Sequence, residues 1–499
     1  MTCKKLYLFQ PLPIGTISPF IYGHFIEHLG GVVQDGLWVG EDSPIPNIHG
    51  FRKALVDAFK AIRPSVVRWP GGCFAECYDW RDGIGPRAQR PSRVNWWYKH
   101  DGRMEPNQVG THEFVDFCRL VGAEPYIAAN ITTTTPLDIR DWVDYCNAPR
   151  GSTTYARLRE ANGAPEPFNV KFWGVGNECW GGGGDMEPET YAHEYRKYAM
   201  ILSNLLPGLK LIGCGPYGTR RWHWTERFLR VFEASARQMD GLSVHYYCDR
   251  SSGCLDFNAD QFYDMLFQGA YMEEVITRAW NLVCGFGCQK ECPLVVDEWG
   301  GWHPEGSGPT KGGNLYEQQC TMRDALLAAI TLNIFNNHCD KVKMANVAQL
   351  DNCLQSLFLA HGSDFIVTPT YHVFDMFKEH QGATALQTAC DREEIAFEHQ
   401  ETHEEAKIAK LSVSASVKDG ALLLTVANCS LDAAEELELA PVGMALKGDA
   451  ELTLLTHEDP HACNTFDAPK TIVPQCMEGR ADVLRVPPAS ILSARIRLA

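Results

Sequence analysis

Short apolar runs alternate with longer stretches whose apolar residues recur at every third or fourth position, from about residue 17 to residue 380. The runs read as strands and the longer stretches as amphipathic helices. Strands are predicted near 20–24, 66–69, 125–130, 172–178, 211–214, 242–246, 294–298 and 342–348. Helices are predicted at 51–62, 111–121, 137–145, 225–236, 262–282, 319–335 and 371–378. A further helix follows the fourth strand, with Tyr191, Tyr195, Tyr198, Leu202 and Leu205 on one buried face. Eight strand–helix units over this length predict a (β/α)8 TIM barrel. A doubly wound open sheet is the alternative. It would favour a phosphate-binding glycine turn early in the chain, and the chain is read as lacking both GxGxxG and GxxxxGK(S/T).

After about residue 383 the rhythm changes. Residues 411–417 alternate with period two, Lys418-Asp-Gly makes a turn, and residues 421–427 form an apolar run, which together predict a hairpin. Short strands continue to residue 498. The chain therefore reads as an α/β barrel over 17–382 with a C-terminal all-β sandwich domain over 383–499. The strand-like stretch in residues 1–16 is assigned to that sandwich.

Composition narrows the partners. The 499 residues carry 62 acidic and 45 basic side chains, a formal net charge of −17. That balance argues against nucleic acid and against an anionic membrane, both of which need a basic surface. It fits a neutral small molecule or a sugar chain. The N-terminus has only a short apolar run broken by Pro11 and Pro13, without the pattern of a secretory signal. No run has the length of a membrane span. The 19 cysteines are then expected as thiols in a reducing cytoplasm. Cys284, Cys288 and Cys292 are evenly spaced, but not as a zinc ribbon.

In a parallel barrel, reactive side chains sit at the C-terminal ends of the strands. The polar residues falling there are Glu27 and His28, Arg68 to Cys73, Asn130, Asn177 and Glu178, His245 to Tyr247, Glu298 and Trp299, and Gln349. Glu178 and Glu298 share one pattern: an apolar run, a polar residue, the glutamate, then an aromatic within two positions. They follow strands four and seven, on nearly opposite sides of the barrel. Two converging carboxylates are the minimum equipment of a glycosidase, one protonated to assist the leaving oxygen and one ionised to attack the anomeric carbon. Each residue has a plainer reading: a solvated glutamate at a strand end, a core histidine at 245, a small core residue at Cys73, a structural turn at Trp69-Pro-Gly-Gly. Arg68 is expected to pair with a barrel carboxylate. His24-Phe-Ile-Glu-His28 matches the HxxEH zinc pattern. On a strand its histidines would stand about 13 Å apart, at roughly 3.3 Å per residue, too far to share one zinc.

At these residues the sequence resembles glycoside hydrolase family 51, the α-L-arabinofuranosidases. The motifs are IYGHFIEHLGG (21–31), RWPGGCFAECYDWRDGIGPRAQRP (68–91), GTHEF (110–114), WGVGNECWGGGG (173–184), VDEWGGWHPEG (296–306) and MANVAQLDNCLQS (344–356). The resemblance implies a retaining exo-hydrolase that removes terminal non-reducing α-L-arabinofuranosyl residues from arabinan- or arabinoxylan-derived oligosaccharides. Glu178 then corresponds to the acid/base and Glu298 to the nucleophile. Glu27, Asn177, Tyr247 and Gln349 match the ligands of the sugar hydroxyls, and Cys73 and His245 fall within the same substrate site. Trp302 and one of Trp96 and Trp97 match its aromatic walls. No metal or organic cofactor is implied, and members are frequently intracellular and oligomeric, often hexameric. Many members carry Asn where Cys73 stands, and residues 95–107 follow the family only in part. A β-xylosidase or endoglucanase on the same barrel is the alternative activity, and a catalytically dead carbohydrate-binding protein is the alternative class.

Overall fold

The structure is a computed structural model that describes residues 4–98, 102–218, 222–232, 239–249, 252–287, 292–304 and 306–499. Eight parallel strands pair in chain order and close into a barrel: Gly23–Phe25, Val66–Trp69, Glu124–Ala129, Phe172–Val175, Lys210–Gly213, Gly241–Cys248, Leu294–Gly301 and Val342–Val347. The barrel and its helices follow the predicted order, with local differences. Residues 19–22 form a single 3-10 turn, so the first strand begins at Gly23 rather than at residue 20. The expected helix at 262–282 is two helices, Ala259–Ala270 and Met272–Gly285. The break falls at Tyr271, whose N–H is shared between the carbonyls of Phe267 and Gln268. The GxGxxG spacing does occur, at residues 213–218, after the fifth strand. There the Pro216 carbonyl accepts the His245 N–H and the Gly218 N–H donates to the His245 carbonyl, so the turn is tied to the sixth strand. Residues 233–236 of the expected helix and Cys288 lie outside the described residues.

The chain forms two compact units. The first comprises residues 23–246 and 277–298, which carry most of the barrel strands. Trp69, Trp80, Trp142 and Trp173 are fully buried there. Trp69 stacks on Phe114 at 5.0 Å and meets Trp142 edge-on at 6.2 Å. The helix Thr111–Val121 closes this layer; the Gly110 N–H is capped by the Glu113 carboxylate and the helix ends at Gly122 in a left-handed turn.

The second unit comprises residues 1–22, 247–276 and 299–499. It holds a nine-stranded sheet, with the N-terminal strand Lys4–Thr16 paired parallel to Glu435–Val442 and antiparallel to Thr384–Cys390. Leu6, Leu8, Leu386, Leu424, Leu437, Leu484 and Ile496 pack in one core, as a folded-over sandwich requires. The predicted hairpin is present, Leu411–Lys418 pairing with Ala421–Asn428 around Asp419 and Gly420. The helix Met322–Asn337 is buried on nearly every face. Its Asn333 Oδ1 accepts hydrogen bonds from Ser414 at 2.8 Å and Thr425 at 2.7 Å, and its Asn336 amide donates to Ser414 at 3.1 Å.

Candidate active site

Glu178 and Glu298 converge. Both approach His245, within the sixth barrel strand: its Nδ1 lies 2.9 Å from Glu178 Oε1 and 3.4 Å from Glu298 Oε2. A carboxylate oxygen of each glutamate and the His245 nitrogen all lie within 4.8 Å of one another. Arg68, at the end of the second strand, donates from Nη1 to Glu298 Oε1 at 2.8 Å and from Nη2 to Asn177 Oδ1 at 2.5 Å. The expected pairing of Arg68 with a barrel carboxylate is therefore to the seventh-strand glutamate.

These contacts set the charges. Burial alone would raise the Glu298 carboxyl, but His245 and Arg68 outweigh it and hold it at about 2. Burial would lower His245, yet Glu298 and Glu178 keep it an imidazolium, up to about 10. Glu27 is different. Burial and the neighbouring Glu298 push it up to about 8, although the Phe74 N–H and the Trp97 indole N–H donate to its Oε1 at 2.9 and 3.0 Å. Trp97 is thus the indole bonded to Glu27, while Trp96 is partly exposed and stands edge-on to it at 4.7 Å.

The Trp69-Pro-Gly-Gly turn lets backbone pass close to both acids; a Cβ on Gly72 would sit 3.0 Å from Glu298 Oε1 and 3.4 Å from Glu27. The Cys73 thiol lies 3.6 Å from Glu178 Oε2 and 3.9 Å from the Asn177 amide nitrogen. Burial and three surrounding carboxylates drive that thiol well above its ordinary range, so it faces Glu178 as a neutral S–H. Trp180 turns away: its indole donates to the Gly215 carbonyl at 2.8 Å and its ring meets Tyr217. Asn130 spends its amide locally, on the Tyr78 carbonyl and on Thr132 and Thr133.

In the second unit, Tyr247 meets Trp302 edge-on at 5.3 Å, and Trp302 in turn meets Tyr316 at 4.8 Å. The Trp302 N–H donates to the Cys248 carbonyl. Gln349 is fully buried, its N–H donating to the Cys353 carbonyl. His24 and His28 do not converge. The His24 ring sits on Phe59, and His28 accepts from the Trp69 indole at 3.0 Å with its Nδ1 against Glu105 at 3.0 Å. Among the described residues, two groups have metal-like spacing, Glu178–His245–Glu298 and Cys254–His303–Asp324. Each already has a guanidinium against it: Arg68 on Glu298, and Arg323 at 3.3 Å from His303 Nδ1.

A glutamate pair, Glu298 buried and Glu178 partly exposed, bridged by an imidazolium at the mouth of a closed barrel is a glycosidase arrangement, and comparison with known proteins agrees. Residues 58–264 match the family model described as alpha-L-arabinofuranosidase 1 domain. Residues 297–490 match the alpha-L-arabinofuranosidase C-terminal domain. An intracellular exo-alpha-L-arabinofuranosidase of Bacteroides ovatus is 37% identical over 466 residues, covering 91% of this chain and 87% of its own. The chain belongs to glycoside hydrolase family 51. The crystal structure of the family 51 arabinofuranosidase from Xanthomonas axonopodis pv. citri superimposes with a TM-score of 0.92 at 36% identity, covering 99% of this chain and all (100%) of that one. The alpha-L-arabinofuranosidase of Thermotoga maritima, in an arabinose complex, gives 0.87 at 29% identity, with coverage of 99% and 100%. The sandwich expected after residue 383 is part of this family architecture.

One functional candidate was not legible in the sequence. Glu76, in the 3-10 turn Cys73–Cys77, is a buried carboxylate whose partners are backbone N–H groups far along the chain. Only the folded chain brings them together.

Proposed function

We propose that the protein is a retaining, exo-acting α-L-arabinofuranosidase that removes terminal non-reducing arabinofuranosyl residues from oligosaccharides. The observation carrying this reading is the glutamate pair: oxygens within 4.8 Å, one carboxyl held at about 2. Retaining enzymes separate their carboxyl groups by about 5–5.5 Å, whereas inverting ones leave about 6.5–9.5 Å for a water. Glu298, ionised beside Arg68 and His245, attacks the anomeric carbon. Glu178 gives its proton to the departing glycosidic oxygen as that bond breaks. Glu178 then takes a proton from water, whose oxygen displaces Glu298 from the same carbon. Asn177, whose side chain is held by Arg68, binds the sugar beside the bond being broken. Glu27, Cys73, His245, Tyr247, Trp302 and Gln349 supply the remaining contacts.

Family membership supports the substrate. A cytoplasmic location, a homo-oligomeric state and a functional division at residue 382 belong to the same reading. Hydrolysis of aryl α-L-arabinofuranosides and aryl β-D-xylosides tests it, and preference for the xyloside would replace the assignment with a β-xylosidase. Glu298→Ala is expected to lose turnover on every substrate by on the order of 10⁴-fold or more. Glu178→Ala is expected to react with a good leaving group, stall as glycosyl-enzyme and be rescued by azide with net retention. An azide product of inverted configuration contradicts the roles.

A further inference from the structure

The two oxygens of Glu76 face two different parts of the barrel mouth. Oε1 accepts the Asn177 N–H at 2.7 Å, and Oε2 accepts the N–H groups of Ile131 at 2.8 Å and Thr132 at 2.9 Å. The first partner lies 101 residues along the chain and the second 55. One buried side chain thus ties the ends of the third and fourth strands to the turn that carries Cys73. Thr132 extends the tie, donating from its hydroxyl to the Gly183 carbonyl at 2.8 Å, while the Thr133 hydroxyl donates to the Glu76 carbonyl at 2.9 Å. Glu178 follows directly on Asn177, in the left-handed region at φ 42°. A non-glycine residue there is strained by about 1–2 kcal/mol and stays only where its surroundings fix it.

We infer that Glu76 is a positioning residue for proton transfer: by accepting at both ends at once, it fixes the Asn177 backbone and thereby the placement of the Glu178 carboxyl. A carboxylate is needed because both ends meet donors. A glutamine can turn its oxygen to only one of them and sets an NH2 group against the other. Burial pushes Glu76 up to about 7, and the three N–H bonds, which favour the ionised form, oppose that rise. A positioning error near 1 Å costs about 10²-fold in rate.

The inference rests on Glu178 being the acid/base, so the test carries both. Rates of Glu76→Gln, Glu178→Ala and the unaltered enzyme are compared on aryl α-L-arabinofuranosides from dinitrophenyl to phenyl. For Glu76→Gln the expected loss is about 10²-fold on the phenyl glycoside, which needs protonation, and only severalfold in the glycosylation step of the dinitrophenyl one, with KM falling as glycosyl-enzyme accumulates. An equal loss across the series for Glu76→Gln, with a steep series for Glu178→Ala, overturns the role of Glu76 and leaves that of Glu178 standing. A Glu178→Ala series no steeper than that of the unaltered enzyme overturns both. Should Glu76→Gln fail to fold, amide exchange in the unaltered enzyme decides. The Asn177, Ile131 and Thr132 amides are expected to be strongly protected, and an Asn177 amide exchanging like an exposed loop amide overturns the inference.

Discussion

Glu178 and Glu298 are legible in the sequence because each ends an apolar run, and a strand in a parallel barrel delivers its last residues to one mouth. What surrounds them is less legible. The Arg68–Glu298 bond and the Cys73–Glu178 contact join residues far apart in the chain, which no local pattern encodes. Among the four glycines after Trp180, Gly182 and Gly183 have steric reasons that Gly181 lacks. A Cβ on Gly183 would stand 1.4 Å from the Asn177 carbonyl, and one on Gly182 would stand 2.4 Å from the Cys73 sulfur. On Gly181 the nearest atom would be 3.9 Å away, the Glu178 carbonyl. Gly181→Ala is therefore expected to keep activity within severalfold, and Gly183→Ala to lose roughly 10²-fold or more by displacing Asn177 and Glu178. Assays of kcat/KM on the pair check this; equal activities would show that the run is a spacer.

Among the elements, the period-two stretch Leu411–Lys418 is a strand, as its alternation predicts, but its polar face is not solvated. Leu411, Val413, Ala415 and Val417 face the sandwich core, while Ser414 and Ser416 are buried on the other side against Asn333 and His380. Alternation reports two faces and is silent on what covers the second. The helix Met322–Asn337 covers it, which is why that helix lacks a polar face. Asn333→Ala is expected to cost about 1–3 kcal/mol of unfolding free energy, since it removes the acceptor shared by two buried hydroxyls, which keep only each other at 2.9 Å, Asn336 and His380 as partners. Denaturant titration measures the loss; a change below the error of the midpoint contradicts it. The N-terminal strand has partners on both sides in the nine-stranded sheet. Removal of residues 1–16 opens two ladders, and the truncated chain is expected to lose its cooperative thermal transition, which calorimetry reads directly.

For the whole molecule, the barrel and sandwich were legible because an alternating α/β rhythm gives way to short strands. The wrapping of the first strand into a sheet completed hundreds of residues later was only weakly signalled, since strand partners carry no address in sequence. Charge acts at this scale too. Glu27 and Glu76, raised to about 8 and about 7, and His245, raised to about 10, all bind protons more tightly folded than unfolded. For the two carboxyls, stability is full below the ordinary 4.5 and falls as pH rises to 7–8; for His245 it is full below 6.5 and falls towards about 10. Glu298, depressed to about 2, acts oppositely and loses its contribution as pH drops below 4.5. A net charge of −17 adds self-repulsion that acid relieves. The thermal midpoint is therefore expected to decline steadily from pH 6.5 to 9.5, and a midpoint that rises over this interval would contradict these charge states. The most direct test of the central claim is the anomer first released from an aryl α-L-arabinofuranoside, followed by proton NMR before mutarotation. Glu298 as nucleophile and Glu178 as acid/base require the α anomer; the β anomer as first product would mean that water attacks directly and that the two glutamates do not work by double displacement.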